Sequence, residues 1–457
     1  MPKLIRASRN QALRPWRAGL ALLLALPLAL TLSPPVEAEA GPVPLQPLLD
    51  RAAAGSTVTL PAGSYAGPAV IAKPLTLRME PGGELLHDGE EPAITLQADG
   101  IVLEGLTVTD RQTDPEIPAV LVASSGNKLR SLTIHTSAGG VYLRQADRNE
   151  LTGIRIDGPA FPGRGNPVFS QRGNGIDLFE SHRNTIAGSR IERMHDGIYV
   201  ESSDANRLER NEVNRSRYGY HFMFAEGAAL TDNTGAYNVT GAMLMGVQDG
   251  EVLRNRFAKQ TENVNSQGLL LFDVKRTVVK DNRVEGNRVG FYVEQTEETE
   301  MTGNEVARNF IGLQLLDSTR NTLSGNAFVS NVIQAQATGS PDNRSDGNYW
   351  DNAQGLDRTG SGVSDLSYEV NPFFLNLTKS VPAFQVLFQS PGMPFLEQLF
   401  RSGTDEWLKD NAPLMKPPTA VSAEAPGNAR EPAVFWTGML LLAVSFISIY
   451  QWGVKRP

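Results

Sequence analysis

Between residues 175 and 316, apolar and polar side chains alternate in short bursts that return at a fixed interval. Gly175-Ile-Asp-Leu, Gly197-Ile-Tyr-Val, Gly219-Tyr-His-Phe and Gly241-Ala-Met-Leu each begin 22 residues after the motif before. Gly268-Leu-Leu-Leu follows after 27, then Gly290-Phe-Tyr-Val and Gly312-Leu-Gln-Leu after 22 each. A constant period of this length marks a chain built from stacked units. The unit is too short for a helix pair and too rich in Gly, Asn and β-branched residues, so each reads as two or three short strands separated by turns. Fourteen residues after the leading glycine stand Asn211, Asn233, Asn255, Asn282, Asn304 and Asn326, and five further on stand Asn238, Asn287, Asn309 and Asn331. Asn tolerates the left-handed backbone of tight turns. In stacked coils each amide would meet its counterpart one coil away and form a ladder. The pattern predicts an all-β chain: a right-handed parallel β-helix of 22-residue coils, about a dozen of them around one core.

The flanks read differently. Residues 1–40 carry Lys3, Arg6, Arg9, Arg14 and Arg17, then an apolar stretch, then Ala38-Glu39-Ala40, the layout of a secretory signal peptide. Residues 41–57 suit an N-terminal cap with a short helix, and 58–352 the β-helix. Longer steps in the repeat place an inserted loop around 161–172 and a smaller one near 258–266. Residues 353–418 read as a C-terminal cap and extension, and 419–431 as an Ala-, Pro- and Glu-rich linker. Residues 432–452 contain an uncharged apolar run with Trp436 and Trp452 near its ends, and 453–457 carry Lys455 and Arg456. Together these predict a transmembrane helix with a cytoplasmic tail, hence an exported solenoid anchored to the inner membrane.

Charge and composition narrow the chemistry. Losing five basic and two acidic residues with the signal peptide would take the formal charge from −8 to −11, which argues against a nucleic-acid partner. The chain has no cysteine, so disulfides, thiolate metal sites and cysteine nucleophiles are excluded. No nucleotide-binding motif, hydrolase elbow or His/Cys metal spacing occurs.

Strand alternation assigns faces. Residues one and three after each leading glycine are apolar and predicted to line the core. Residues two and four after it then face outward: Asp177/Phe179, Tyr199/Glu201, His221/Met223, Met243/Met245, Leu270/Phe272, Tyr292/Glu294 and Gln314/Leu316. Coils stack about 4.8 Å apart, so His221 is expected beside Met243 and Met223 beside Met245. Three readings of this patch stand side by side. As a soft-metal site, thioethers and imidazole select Cu(I). As a docking surface, Phe179, Leu270, Phe272 and Leu316 continue the patch, and Met suits adaptable interfaces. As a sugar groove, Asp177, Tyr199, Glu201 and His221 offer an acid/base cluster for a lyase or epimerase, although the stripe shows no outward Lys or Arg for a uronate carboxylate. His135, His182 and His195 read as turn or capping residues, and His87 has no evident partner.

The blocks Gly173-Asn-Gly-Ile-Asp, His195-Asp-Gly-Ile-Tyr, Arg217-Tyr-Gly-Tyr-His-Phe-Met-Phe, Gly241-Ala-Met-Leu-Met and Gly268-Leu-Leu-Leu resemble the NosD family. Gly347-Asn-Tyr-Trp-Asp and Ala412-Pro-Leu-Met-Lys-Pro are similar to its closing motifs. These are periplasmic β-helical proteins of nitrous oxide reductase maturation. The resemblance implies a non-catalytic accessory protein that works with the membrane and ATPase subunits of an ABC transporter, a copper chaperone and the reductase. Its expected task is scaffolding or Cu(I) supply for copper-centre assembly, with His221, Met223, Met243 and Met245 as the expected ligands.

Overall fold

The computed structural model describes residues 41–159, 168–261, 263, 265–370 and 408–418, with Leu377, Leu396, Met439, Leu442 and Ser445 as single helical positions. The expected signal peptide, linker and tail lie outside these residues. So does the expected transmembrane helix, apart from three single positions. Among the described residues no helix is long and apolar enough to cross a membrane, and the anchor at 432–452 has no support from the structure.

Alternation produces the predicted solenoid. Each coil contributes one strand to each of three parallel sheets, one of 14 strands and two of 12, wound right-handed. Ile198/Val200, Tyr220/Phe222, Ala242/Leu244, Leu269/Leu271 and Phe291/Val293 all lie in one continuous buried core. Each such side chain contributes about 1.5–3 kcal/mol relative to exposure, Ala less. The short strand Arg256–Ala258 ends where the extra residues of the 27-residue step begin, and the next strand, Gln267–Phe272, resumes the register.

The corners differ from expectation in one respect. The ladder asparagines are not themselves left-handed; the residue before each one is. Arg210, Asp232, Arg254 and Asp281 adopt positive φ ahead of Asn211, Asn233, Asn255 and Asn282. That residue turns the chain and throws the following asparagine inward, where its Nδ2 donates to the next Oδ1: 3.0 Å from Asn211 to Asn233, 3.1 Å from Asn233 to Asn255 and 3.0 Å from Asn255 to Asn282. The second expected ladder runs from Asn287 to Asn309 to Asn331 at 3.1 and 3.0 Å. A third, at the remaining corner, joins Asn127, Asn149, Asn184 and Asn206.

Both ends of the core are closed. The helix Gln46–Arg51 and the residue before it bury Leu49 and Leu45 on the first coil. At the other end Trp350 stacks between Phe328 and Tyr368, with centroids 4.3 and 4.7 Å away. Tyr368–Glu369 pairs antiparallel with Lys409–Asp410, bringing Asp410 back onto the last coil. There its buried carboxylate accepts from the backbone N–H of Gly347 and Asn348 and from Trp350 Nε1, at 2.9–3.0 Å. Asp410→Ala leaves these buried donors unpaired. We expect a loss of about 2–3 kcal/mol, read as a lower denaturation midpoint; an unchanged midpoint would show that the closing segment contributes no stability.

Candidate functional site

The strands Asp196–Glu201, Tyr218–Met223, Thr240–Met245, Gln267–Phe272 and Val289–Glu294 lie side by side in one sheet. Register places two outer columns on it. One runs Tyr142, Asp177, Tyr199, His221, Met243, Leu270, Tyr292; the other runs Arg144, Phe179, Glu201, Met223, Met245, Phe272, Glu294, Leu316. His221 is therefore level with Met243, and Met223 with Met245. Leu270 and Phe272 adjoin this quartet. Phe179 and Leu316 do not: Glu201 and Glu294 interrupt the second column before each of them, so the expected docking residues form no single continuous patch.

Facing outward does not leave His221 exposed. Its side chain is enclosed by the rings of Tyr199 and Tyr218, each with its centroid 4.9 Å away, and only 5% of its surface meets solvent. Nδ1 lies 2.8 Å from Asp196 Oδ2, while Nε2 is buried without a hydrogen-bond partner. Arg217 donates to both Asp196 oxygens, from Nε at 2.8 Å and Nη2 at 2.7 Å, with its guanidinium over the Tyr218 ring. Burial pushes the Asp196 carboxyl up, but bonds to His221 and Arg217 outweigh it and hold the group below its ordinary range.

Tyr199 links the patch to its neighbours. Its hydroxyl contacts Glu201 Oε2 at 2.8 Å and Met223 Sδ at 3.2 Å. Burial and the Glu201 carboxylate raise the phenol above its ordinary value. The same pairing recurs beyond the patch, with Tyr292 donating to Glu294 at 2.7 Å; burial and that carboxylate push Tyr292 up to about 12.

A polar cleft of about 410 Å³ opens beside His221 and Met223. Asp177 lies in it, accepting from Arg144 Nη1 at 2.6 Å and Asn174 Nδ2 at 2.7 Å, and burial raises its carboxyl. The inserted loop borders the cleft through Ser170 and Arg172; Arg172 donates to the carbonyls of Pro159 and Arg193, and the nearby Phe169 carbonyl meets His195 Nδ1 at 2.9 Å. Two expectations change here. Guanidinium groups do flank the stripe, from Arg144, Arg172 and Arg217, and His195 belongs to the cleft lining. Elsewhere, His182 Nδ1 accepts the Asp204 N–H at 2.9 Å, and His87 Nε2 meets the Glu91 carbonyl at 2.6 Å.

Asp196 and Tyr218, each directly before a leading glycine, escape strict alternation because the period breaks at the glycine, and Arg217 precedes the strand Tyr218–Met223, where alternation does not apply. A Cβ on Gly197 would meet Val213 Cγ1 at 2.1 Å, and one on Gly241 would meet Phe257 at 2.8 Å. These glycines face the core, as the residue after each does, so the residue before each faces outward. The His195-Asp-Gly and Arg217-Tyr-Gly blocks were the available signal.

Among the described residues no group of three or more His, Asp and Glu side chains could hold a metal ion. The patch offers a different donor set, one imidazole with a free buried nitrogen beside thioethers. That set fits a soft, monovalent ion.

A family profile described as "Periplasmic copper-binding protein (NosD)" matches residues 161–355. A Pseudomonas aeruginosa protein described as a probable ABC transporter binding protein NosD is 35% identical over 175 residues, 37% of this chain and 39% of that one. The match thus spans about two-fifths of that relative's length. A Stutzerimonas stutzeri protein with the same description is 28% identical over 401 residues, 79% of this chain and 87% of that one. Similar solved structures include the A-module of an Azotobacter vinelandii mannuronan C-5 epimerase, with TM-score 0.45 and 11% identity over 64% of this chain and 90% of that one. The receptor-binding tailspike of bacteriophage Det7 has TM-score 0.46 and 11% identity over 71% of this chain and 78% of that one. Neither likeness carries an argument about ligand or reaction.

Proposed function

We propose that this chain is a NosD-type protein, a reading supported by the profile match over residues 161–355 and by the two relatives of that description, and that it is a periplasmic accessory protein for nitrous oxide reductase maturation, carrying Cu(I) as cargo. In this reading it is a non-catalytic scaffold that docks an ABC transporter, takes copper from a chaperone and passes it toward the reductase's copper centres. The observation that carries the reading is the His221 imidazole, held by Asp196 with Nε2 unpartnered, level with Met243 and flanked by Met223. Nitrogen and thioether donors together favour Cu(I) over the harder divalent ions. His221, Met223, Met243 and Met245 would hold the ion, and the adjoining Leu270 and Phe272 supply apolar surface for a partner.

An anaerobic Cu(I) titration of the purified full chain, set against a chromophoric chelator, tests it. Changing Met223, Met243 and Met245 to Leu keeps the apolar surface and removes the sulfur donors. Binding should weaken by more than about 100-fold, since even residues that only orient ligands cost about 10–100-fold. Equal affinity in the variant would remove the thioethers from the account.

A second reading is a lyase or epimerase for uronate glycans, favoured by Arg172 and Arg217 in the cleft lining and by Arg144 paired with Asp177. The electrostatics oppose it. A general base needs a phenol poised near neutral pH, whereas Tyr199 is shifted upward, and Asp177 is tied to Arg144 and Asn174. Turnover of a uronate oligomer that disappears in Tyr199→Phe would favour this reading over the copper one.

A further inference from the structure

We propose that Asp196 is a positioning residue that fixes the His221 tautomer, keeping the proton on Nδ1 and turning a bare Nε2 toward incoming Cu(I). The inference rests on the copper reading above and adds to it a group from the preceding coil that never touches the ion.

The geometry supplies the argument. Asp196 is 1% exposed and accepts three hydrogen bonds, two from the Arg217 fork and one involving His221 Nδ1. A carboxylate so placed can only accept, so the 2.8 Å contact requires a proton on Nδ1. In a neutral imidazole the other nitrogen then carries a lone pair. That nitrogen is Nε2, buried and without any protein partner. A buried polar atom left unpaired is costly, and a soft cation would satisfy it. Tyr199 and Tyr218 pack on the ring from two sides and prevent it from turning over. Arg217 in turn holds Asp196 in place and keeps it ionised. The aspartate–histidine pair thus has the arrangement by which a carboxylate behind a metal-binding imidazole sets its tautomer and raises its basicity.

The chain has five histidines, so histidine-selective ¹⁵N labelling of the full chain gives a readable spectrum. It would be recorded without copper at about pH 8, where imidazole is ordinarily neutral. The expected result is one histidine, assigned by its loss in His221→Gln, that is protonated at Nδ1 and bare at Nε2. A proton on Nε2 overturns the proposal before any Asp196 variant is made. In Asp196→Ala, the signal should shift to the Nε2–H form and Cu(I) affinity should fall by about 10–100-fold, with the circular dichroism unchanged. Unchanged affinity in that variant also overturns it. Should the native protein show a bare Nε2 yet bind no Cu(I), the copper reading fails while the Asp196–His221 orientation stands.

Discussion

Replacing Asn255 by leucine should lower the free energy of unfolding by about 3–5 kcal/mol. Asn255 is an interior rung of the longest ladder, which runs from Asn211 to Asn348. Its Nδ2 donates to Asn282 Oδ1 and to the Leu230 carbonyl, at 3.0 and 2.8 Å, and its Oδ1 accepts from both nitrogens of Asn233. Leucine has similar bulk but leaves the Asn233 backbone N–H facing an apolar group in a site sealed from water. Each buried group so orphaned costs about 1–3 kcal/mol, and the coils above and below cannot move apart to admit water without losing their sheet pairing. Asn255→Ser provides the contrast. Ser189 occupies the equivalent corner position, where its hydroxyl accepts the Ile154 N–H at 3.1 Å. The serine variant should therefore lose only about 1 kcal/mol. Urea unfolding of both variants, with hydrogen exchange at Asn233, distinguishes them; equal small losses would show that the ladder is decorative.

Gly241→Val should be more severe, with a loss above about 3 kcal/mol or no folded protein recovered. A Cβ at this position would sit 2.5 Å from the Gly268 carbonyl oxygen and 2.8 Å from Phe257 Cβ. The first of these is backbone of the next coil, so relief requires the stacking itself to shift. Gly197, Gly219 and Gly290 are confined in the same way by the next coil's carbonyl, at 2.6, 2.3 and 2.5 Å. Gly286 is the control. It sits at φ +64° with nothing near its missing Cβ, in a corner column where Arg193, Arg215 and Arg308 already adopt that conformation. Gly286→Arg should cost only about 1–2 kcal/mol, the penalty of left-handed backbone. Solubility and thermal midpoints of the two variants measure the difference; a Gly241→Val protein as stable as Gly286→Arg would mean the coils can separate more easily than their spacing implies.

These contrasts separate two kinds of glycine that look alike in the chain. The leading glycines read as markers of the period, and they are; their cause is close contact with the next coil rather than a turn. The asparagines also read correctly as ladders, while the turn itself is made by the residue before each of them. Arg254, not Asn255, takes the left-handed conformation. Nothing in the local sequence distinguishes these, because an arginine has no intrinsic preference for that region and accepts it only where the stack demands a corner.

The candidate site divides along the same line. Register and alternation sufficed to place His221 beside Met243 and Met223 beside Met245, since both follow from a constant step of 22 residues and a period of two. They also identified the interior pairs such as Tyr220/Phe222. Those properties belong to covalent order and backbone geometry, which every coil repeats. What lies around His221 does not repeat. The aspartate 25 residues upstream, the arginine that forks it and the two tyrosines that enclose the ring come together only where coils stack and alternation breaks at a glycine. The chain's repeat thus determined the scaffold and the addresses of His221 and the three methionines. Their burial and their polar neighbours were decided by tertiary packing, because each depends on which unlike side chains meet across the coils.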